Sequence, residues 1–254
     1  MQCRLCKNAG ELRNSHIIPE FLYKDLYDEL HRFYVISADA AKGERREQKG
    51  YRESLLCHFC EQRFSRWENY TKNAFVDGYG LTVDHFRQGR HHGMRLQGLD
   101  YAKFKLFLMS LLWRLGVSSL DFFNEVNLGD HHEGILRTAL LNDDPLDEFQ
   151  YSCLFSVVTL NGKFYPDWIV PPTLAKGMNQ HCYRIVINGI LYSFFVSSKP
   201  LSAEFKPIVV NRNGELHIRL ENAANIPFLW DFAQQMSRAI NLRKRQGHVA
   251  NLVT

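Results

Sequence analysis

The sequence predicts an α+β protein in which a small metal-binding module precedes helices and an antiparallel sheet. Two Cys-x-x-Cys motifs lie in the first quarter of the chain, and the second opens a helical pattern. One apolar run, residues 101–117, predicts a helix that is buried on all sides. After residue 150, short runs of β-branched and aromatic residues alternate with Asn-Gly dipeptides, which predicts β-hairpins.

The composition is that of a folded chain with a substantial core. Hydrophobic residues make up 45% and aromatic residues 13% of the 254 residues, which excludes global disorder. The net charge of +4 permits contact with nucleic acid but does not require it. The first fifteen residues lack the apolar run of a signal peptide, and residues 104–115 are too few to span a bilayer. We therefore expect a soluble, cytoplasmic protein without membrane contact.

The cysteine pattern favours a metal site over disulfide bonds. Four of the six cysteines form the motifs Cys3-Arg4-Leu5-Cys6 and Cys57-His58-Phe59-Cys60. Two such motifs can present four thiolates to one tetrahedral ion, and two unrelated buried pairs are the alternative. Since a closed shell leaves no position for substrate, we predict a structural Zn²⁺ ion in a treble clef, bound by Cys3, Cys6, Cys57 and Cys60. Cys153 and Cys182 lie in apolar runs and are predicted to be ordinary buried thiols.

The chain divides into three predicted parts. Residues 1–75 form the zinc-binding module, residues 76–149 a helical connector, and residues 150–254 an antiparallel sheet with a C-terminal helix. The closing helix is predicted over residues 227–243. A β-meander is predicted from six apolar runs, at residues 151–159, 163–169, 181–187, 191–197, 205–210 and 215–220. Its turns are predicted at Asn161-Gly162, Asn188-Gly189 and Asn213-Gly214.

One histidine motif lies between the two cysteine motifs. It is Ser15-His16-Ile17-Ile18-Pro19, and Leu55-Leu56 leads into the second cysteine motif. Over about residues 1–70 this arrangement resembles the HNH (His-Me finger) endonuclease family with zinc-bearing motifs. The resemblance implies a ββα module with His16 as the general base that activates water, and a Mg²⁺ or Mn²⁺ ion that stabilises the leaving oxygen. A neutral imidazole with a pKa near neutrality suits such a base.

Three positions depart from the pattern of that family. Ser15 stands where the family has an acidic residue, and Arg52 lies in the region of its asparagine. Glu61 follows the second cysteine motif in place of histidine or asparagine, and its carboxylate would suit Mg²⁺ or Mn²⁺. Lys49 and Arg52 could clamp a nucleic-acid phosphate, although solvated pairs with neighbouring glutamates are the simpler interpretation.

Other polar residues of the chain have simple structural interpretations. Glu68 lies two helical turns after Glu61 and could extend a metal site, but a salt-bridged glutamate is the simpler prediction. The adjacent pairs His91-His92 and His131-His132 direct their side chains to different faces, which makes them poor chelates. The aromatic residues of the meander are predicted to be core, because a base-stacking platform would need interleaved arginines.

Two functions follow from these observations. The first is a divergent HNH-type, metal-dependent endonuclease that hydrolyses DNA rather than RNA, as in bacterial restriction or anti-phage defence, with a site formed by His16, Glu61 and Arg52. The second is a non-catalytic module, stabilised by zinc, that binds nucleic acid or protein and acts with a protein partner or as a homodimer. A solvent-open pocket shared by His16 and Glu61 would favour the first function. Burial of His16 against the core would favour the second.

Overall fold

A computed structural model describes residues 1–36, 44–47, 49–88, 91–160, 162–164, 166, 168–231 and 234. The fold is mixed α+β, as the sequence predicts. In chain order the elements are β1 (Arg13–His16), β2 (Phe33–Ile36), β3 (Glu44–Glu47), β4 (Arg52–Leu56), α1 (His58–Phe75), β5 (Thr82–Gln88), β6 (His91–Gln97), α2 (Tyr101–Val117), α3 (Gly129–Leu141), β7 (Cys153–Leu160), β8 (Lys163–Phe164), β9 (Ile169–Gly177), β10 (Gln180–Ile187), β11 (Ile190–Val196) and β12 (Leu216–Asn222). Short 3-10 helices lie at Glu20–Leu26, Asp121–Phe123, Ala203–Ile208 and Ala223–Asn225. No helix among these residues is long and apolar enough to cross a membrane.

The N-terminal part consists of a two-stranded sheet followed by a helix. β1 pairs antiparallel with β4, which places His16 opposite Arg52. α1 follows β4 at once and buries one face, including Phe64 and Trp67. β2 and β3 form a second antiparallel pair in the loop between β1 and β4. The 3-10 helix Glu20–Leu26 follows β1 directly after Pro19.

Helix α2 lies at the centre of the core. Asp100 caps its start, where the side chain accepts a hydrogen bond from the third N–H of the helix and satisfies a donor without a helical partner. Nearly every side chain from Phe104 to Leu115 is buried, which confirms the prediction for this run. Lys105 is fully buried, and its Nζ donates to the carbonyls of Gln150 (2.6 Å) and Tyr151 (3.2 Å). Burial lowers the pKa of Lys105 to about 7.

A large sheet has the strand order β5-β6-β12-β7-β11-β10-β9, with β8 paired to β7 beside this path. Neighbouring strands are antiparallel except β12 and β7, which run parallel. β9, β10 and β11 are joined as consecutive hairpins, but β7 lies next to β11, so the sheet is rich in antiparallel pairs without being one continuous meander. β5 and β6 extend its far edge. The region predicted as a helical connector therefore contributes two strands as well as α2 and α3.

Some of the turns in the sheet agree with those predicted from the sequence, and others do not. Asn188 and Gly189 have φ values of 54° and 69° and join β10 to β11, which confirms the predicted two-residue hairpin. A similar turn at Met178-Asn179 joins β9 to β10 and was not predicted. Residues 205–210 were predicted as a strand, but the 3-10 helix Ala203–Ile208 occupies this region and contains Pro207, which has no N–H to donate to a neighbouring strand. Gly214 has a φ of 75° in a turn that enters β12 from a segment outside the sheet.

The ends of two predicted elements lie outside the described residues. Residues 227–231 are helical, as expected for the closing helix, and most of its remaining predicted length, to residue 243, is not described. Asn161 is likewise not described, although Gly162 has the positive φ expected of its turn. Cys153 and Cys182 are buried free thiols, as predicted.

The two faces of the large sheet pack against different partners. Phe155, Tyr192 and Phe194 belong to the main core beneath α2, where the rings of Phe104 and Phe155 are 5.9 Å apart. Two smaller apolar clusters lie on the opposite face, one around Val158, Val186 and Leu191 and one around Cys182, Phe195 and Val209. The N-terminal module lies on the α2 side, since α1 packs against α2.

Candidate metal centre and active site

The side chains of Cys3, Cys6, Cys57 and Cys60 converge on one point. Their sulfur atoms all lie within 4.8 Å of one another, and the Sγ atoms of Cys6 and Cys57 are 3.8 Å apart. A tetrahedral zinc ion with Zn–S bonds of about 2.3 Å requires sulfur–sulfur distances of about 3.8 Å. The four cysteines could therefore hold a metal ion such as zinc.

Two backbone structures position these four thiols. The first motif lies in a tight turn, in which the N–H of Lys7, with a φ of 63°, donates to the carbonyl of Cys3 (2.9 Å). The second motif starts α1, with Cys57 as the N-cap residue and Cys60 in the first turn. The N–H of Cys57 donates to the sulfur of Cys3 (3.4 Å), which links the two motifs.

The electrostatics of the four thiols call for a cation. Burial raises the pKa of Cys3, but hydrogen bonds from backbone amides, that of Cys57 foremost, lower it to about 7. Burial and the charge of Cys3 raise the pKa of Cys60. Because neighbouring thiolates repel one another, all four can ionise together only around a positive ion.

His16 ends β1 and contacts the carboxylate of Glu20, which no motif in the sequence indicated. Its Nε2 lies 2.7 Å from Oε2 of Glu20 in the 3-10 helix that follows β1. The hydroxyl of Tyr27 donates to the other oxygen of Glu20 (2.8 Å), and Nη2 of Arg52 lies 3.4 Å from Oε2. We call these four residues the His16 cluster. The side chain of His16 is 25% exposed and that of Glu20 38%, so solvent reaches both.

The surroundings set the charges of the His16 cluster. Burial and the guanidinium of Arg52 lower the pKa of His16, and they outweigh the opposite effect of Glu20. Burial favours the neutral acid of Glu20, but hydrogen bonds from Tyr27 and His16 hold the pKa of this carboxyl below its usual value. At neutral pH the imidazole is therefore neutral and the carboxylate is ionised, which is the state a general base requires.

The other predicted site residues are placed as follows. Glu61 lies in the first turn of α1, with its Oε1 buried and without a hydrogen-bond partner in the described part of the chain. Within the same part, no hydrogen bond or ion pair joins Glu61 to His16. Lys49 is exposed just before β4. The structure thus brings Arg52 to the Glu20–His16 pair, and Glu20 is the carboxylate that contacts the imidazole. The role predicted for Glu61, a ligand of a catalytic metal ion, stays a prediction.

Arg114 on α2 ties the end of β1 to α1. Its Nη1 donates to the carbonyl of His16 (2.8 Å) and lies 2.7 Å from Oε1 of Glu68. The guanidinium also lies over the ring of Phe64, at 5.3 Å from the centroid, and its Nε donates to the carbonyl of Ser110. The salt bridge predicted for Glu68 is confirmed, but Glu68 was expected on the surface and its side chain is only 21% exposed, beside the buried Arg114. The sequence feature that could have indicated a role for Arg114 is its charge within an otherwise apolar helix.

Replacing Arg114 with methionine is expected to lower the free energy of unfolding by about 3–5 kcal/mol, because it leaves the mostly buried carboxylate of Glu68 without its partner. Urea denaturation measures this loss. The control is Arg66→Met, which removes an exposed pair with Asp143 and is expected to cost less than about 1 kcal/mol. Equal losses for the two variants would contradict the structural role given to Arg114.

The described residues around His16 do not form a ready-made cluster of three donors for Mg²⁺ or Mn²⁺. Among the described residues, the four cysteines are the one group of three or more Cys, His, Asp or Glu side chains close enough to hold a metal. The two carboxylates that act on His16 are both ion-paired, Glu20 with Arg52 and Glu68 with Arg114. Magnesium usually binds through one or two carboxylates together with water and substrate phosphate, so an ion at His16 would require one of these carboxylates to leave its arginine.

Comparisons with known proteins found no relative of this chain. No protein-family model matches the chain, and neither a curated protein nor a solved structure matches it.

Proposed function

We propose that the protein is a divergent HNH-type endonuclease that hydrolyses phosphodiester bonds in DNA. The observation that carries this proposal is the 2.7 Å contact between His16 Nε2 and Glu20, with Arg52 beside it. A neutral, partly exposed imidazole that is oriented by a carboxylate is suited to take a proton from water. His16 is the base, and Glu20 is a positioning residue that stabilises the imidazolium formed.

The proposed step uses the residues of the His16 cluster. His16 removes a proton from water as the water oxygen bonds to phosphorus, the bond from phosphorus to the leaving oxygen breaks, and that oxygen takes a proton from solvent. Arg52 pairs with a non-bridging phosphate oxygen and offsets the charge that develops there. Such a role requires Arg52 to exchange its long contact with Glu20 (3.4 Å) for the phosphate.

We also propose that the four cysteines bind a structural Zn²⁺ ion in a treble clef. The order of a turn with the first motif, the β1–β4 pair and a helix that starts at the second motif supports this assignment. The ion would fix the start of α1 relative to the first turn, and so hold β4 with Arg52 against β1 with His16. Its closed ligand shell gives it no part in the reaction.

The family resemblance further predicts a Mg²⁺ or Mn²⁺ ion in the reaction. Such an ion takes no part in the proposed step, because both carboxylates that act on His16 are paired with arginines. Dependence on these ions stays a prediction.

Cleavage assays test the proposed function. The purified protein is incubated with supercoiled plasmid and with RNA, in Mg²⁺, in Mn²⁺ or after brief treatment with EDTA, alongside His16→Ala. The control variant is His181→Ala, which changes an exposed histidine on β10. We expect the wild type and His181→Ala to nick the plasmid and His16→Ala to leave it intact. Binding without cleavage by the wild type would instead favour the non-catalytic module, in agreement with the arginine-paired carboxylates.

The pH dependence of cleavage should report the titration of His16. Since the base must be neutral and its pKa lies below the usual 6.5, the rate should rise with pH along a limb whose midpoint is below 6.5. Arg52→Gln removes a charge that lowers this pKa, so its limb should move to higher pH. Initial rates between about pH 5 and pH 8 measure both effects. A limb that Arg52→Gln leaves in place would argue against His16 as the titrating group.

A further inference from the structure

A cavity of about 420 Å³ lies on the face of the large sheet that is turned away from α2. Strands β7, β10, β11 and β12 line it, together with Ile208 of a 3-10 helix and residues 225–227. A second cavity of about 520 Å³ shares Met178, Ile208, His217 and Arg219 with the first and reaches Phe86 on β5. We call the two together the outer groove. Each has the volume typical of a small-molecule site.

The outer groove contains two arginines without an acidic partner. Arg184 stands opposite Ser193 on β11, and Arg219 stands opposite Ser156 on β7. Neither arginine forms an ion pair with a carboxylate in the described part of the chain. Nε of Arg184 is buried and lacks a hydrogen-bond partner there, although the side chain also contacts the thiol of Cys182. A buried hydrogen-bond donor without a partner destabilises the folded protein, so an anion bound to Arg184 would remove this unfavourable free energy.

The acidic residues of the outer groove do not neutralise these arginines. In the first cavity Glu221 is the acidic lining residue, and its Oε1 accepts a hydrogen bond from the hydroxyl of Ser156 (2.8 Å). Glu204 lines the second cavity from an exposed position. The first cavity therefore carries an excess of positive charge, which suits an anionic ligand.

Aromatic rings line the same groove beside the arginines. The ring of Phe86 lies 5.5 Å from that of His217 at an angle of 40°, and Phe205 lines the same cavity. Gly93 permits this arrangement, because a Cβ atom at that position would lie 2.5 Å from the ring of Phe86. Bases stack on such rings, and this stacking contributes about 1–3 kcal/mol per base. Arginines and aromatic rings are thus combined on one surface.

We propose that the outer groove binds a nucleoside phosphate. Its phosphate lies between Arg184 and Arg219, near the hydroxyl of Ser193 and away from the Ser156–Glu221 hydrogen bond, and its base lies toward Phe86. The groove and His16 lie on opposite sides of the large sheet, so this binding site is separate from the proposed cleavage site. A free nucleotide and the 5′-phosphorylated end of a nucleic-acid strand both present a base and a phosphate, and the experiment below distinguishes these two ligands.

Isothermal titration calorimetry tests the proposal with the four nucleoside 5′-monophosphates, the matching nucleosides, inorganic phosphate and a 5′-phosphorylated dinucleotide. We expect saturable binding of at least one monophosphate, and at least about tenfold weaker binding of its nucleoside and of phosphate alone. Tighter binding of the dinucleotide would identify a strand end as the source, and weaker binding a free nucleotide. His16→Ala should bind as the wild type does, whatever the outcome of the cleavage assays.

Arg219 and Arg87 are exposed, so their variants keep this test independent of folding, and Phe86 is half-buried. Arg219→Gln is expected to weaken binding at least about tenfold, whereas the control Arg87→Gln, on the next strand but one, should leave it unchanged. Phe86→Leu should weaken binding of the nucleotide but not of inorganic phosphate. The proposal is overturned if no monophosphate binds below about 1 mM, if phosphate alone binds as tightly as the nucleotide, or if Arg219→Gln binds normally with an unchanged circular dichroism spectrum.

Discussion

His16→Ala is expected to lower the rate of plasmid cleavage by roughly 10²–10⁴-fold, the contribution typical of a positioned general base. The reason is that His16 is the neutral imidazole of its cluster, held 2.7 Å from Glu20 and still 25% exposed to solvent. Single-turnover rates on plasmid measure the loss. The fold should survive, because Arg114 holds this residue through the backbone carbonyl, which the substitution retains. Cleavage by the variant at the wild-type rate would show that another group is the base.

Glu20→Gln separates positioning from a merely structural role. The variant keeps a hydrogen-bonding oxygen but loses the charge that raises the pKa of His16. We therefore expect slower cleavage. We also expect the rise of the cleavage rate with pH, which reports the titration of His16, to move to lower pH. Glu29→Gln, which changes an exposed glutamate just beyond the same 3-10 helix, is the matched control and should alter neither quantity. If the cleavage rate falls but its midpoint on the pH scale stays where it is in the wild type, Glu20 has only a structural role.

Cys60→Ala is expected to cause the largest loss of stability. It removes one of four thiols that lie within 4.8 Å of one another, and the binding of a structural zinc contributes about 10–16 kcal/mol in zinc-finger peptides. We expect loss of the metal and rapid proteolysis within residues 1–75 under conditions in which the wild type resists. Limited proteolysis followed by mass spectrometry locates the cuts.

The control for this variant is Cys153→Ala, which changes a buried thiol outside the four-cysteine cluster. It should keep the metal and the resistance of residues 1–75, with at most a modest fall in the melting temperature from the small cavity it leaves. If Cys60→Ala keeps its N-terminal part as intact as Cys153→Ala does, the cysteines do not organise this module.

Local signals in the sequence were sufficient for several elements of the fold. The apolar run of α2 predicts its burial, and Asn188-Gly189 predicts a hairpin, because both depend on neighbouring residues. The β5–β6 hairpin was missed, since residues 82–85 are exposed at a sheet edge and lack a buried alternating pattern. Its partner β12 begins more than a hundred residues later, and a pairing over such a distance leaves no local pattern to detect.

Some residues of the candidate site could be predicted from local motifs in the sequence, and others are placed only by tertiary packing. His16 could be selected from the motif around it, and the four cysteines from their spacing. Glu20 could not be selected, because its approach depends on the 3-10 helix after Pro19 that turns residue 20 back toward residue 16. Arg114 comes from a helix 98 positions away and is placed by tertiary packing. Glu61 was selected by its position relative to the second cysteine motif, and its role as a metal ligand stays a prediction.

We propose that four thiolates on a single zinc ion build the module that presents His16. Native mass spectrometry of protein purified under reducing conditions tests it most directly. The predicted result is one zinc per chain in the wild type and in His16→Ala, and none in Cys60→Ala. A wild-type mass without bound metal, or zinc that persists in Cys60→Ala, would contradict it.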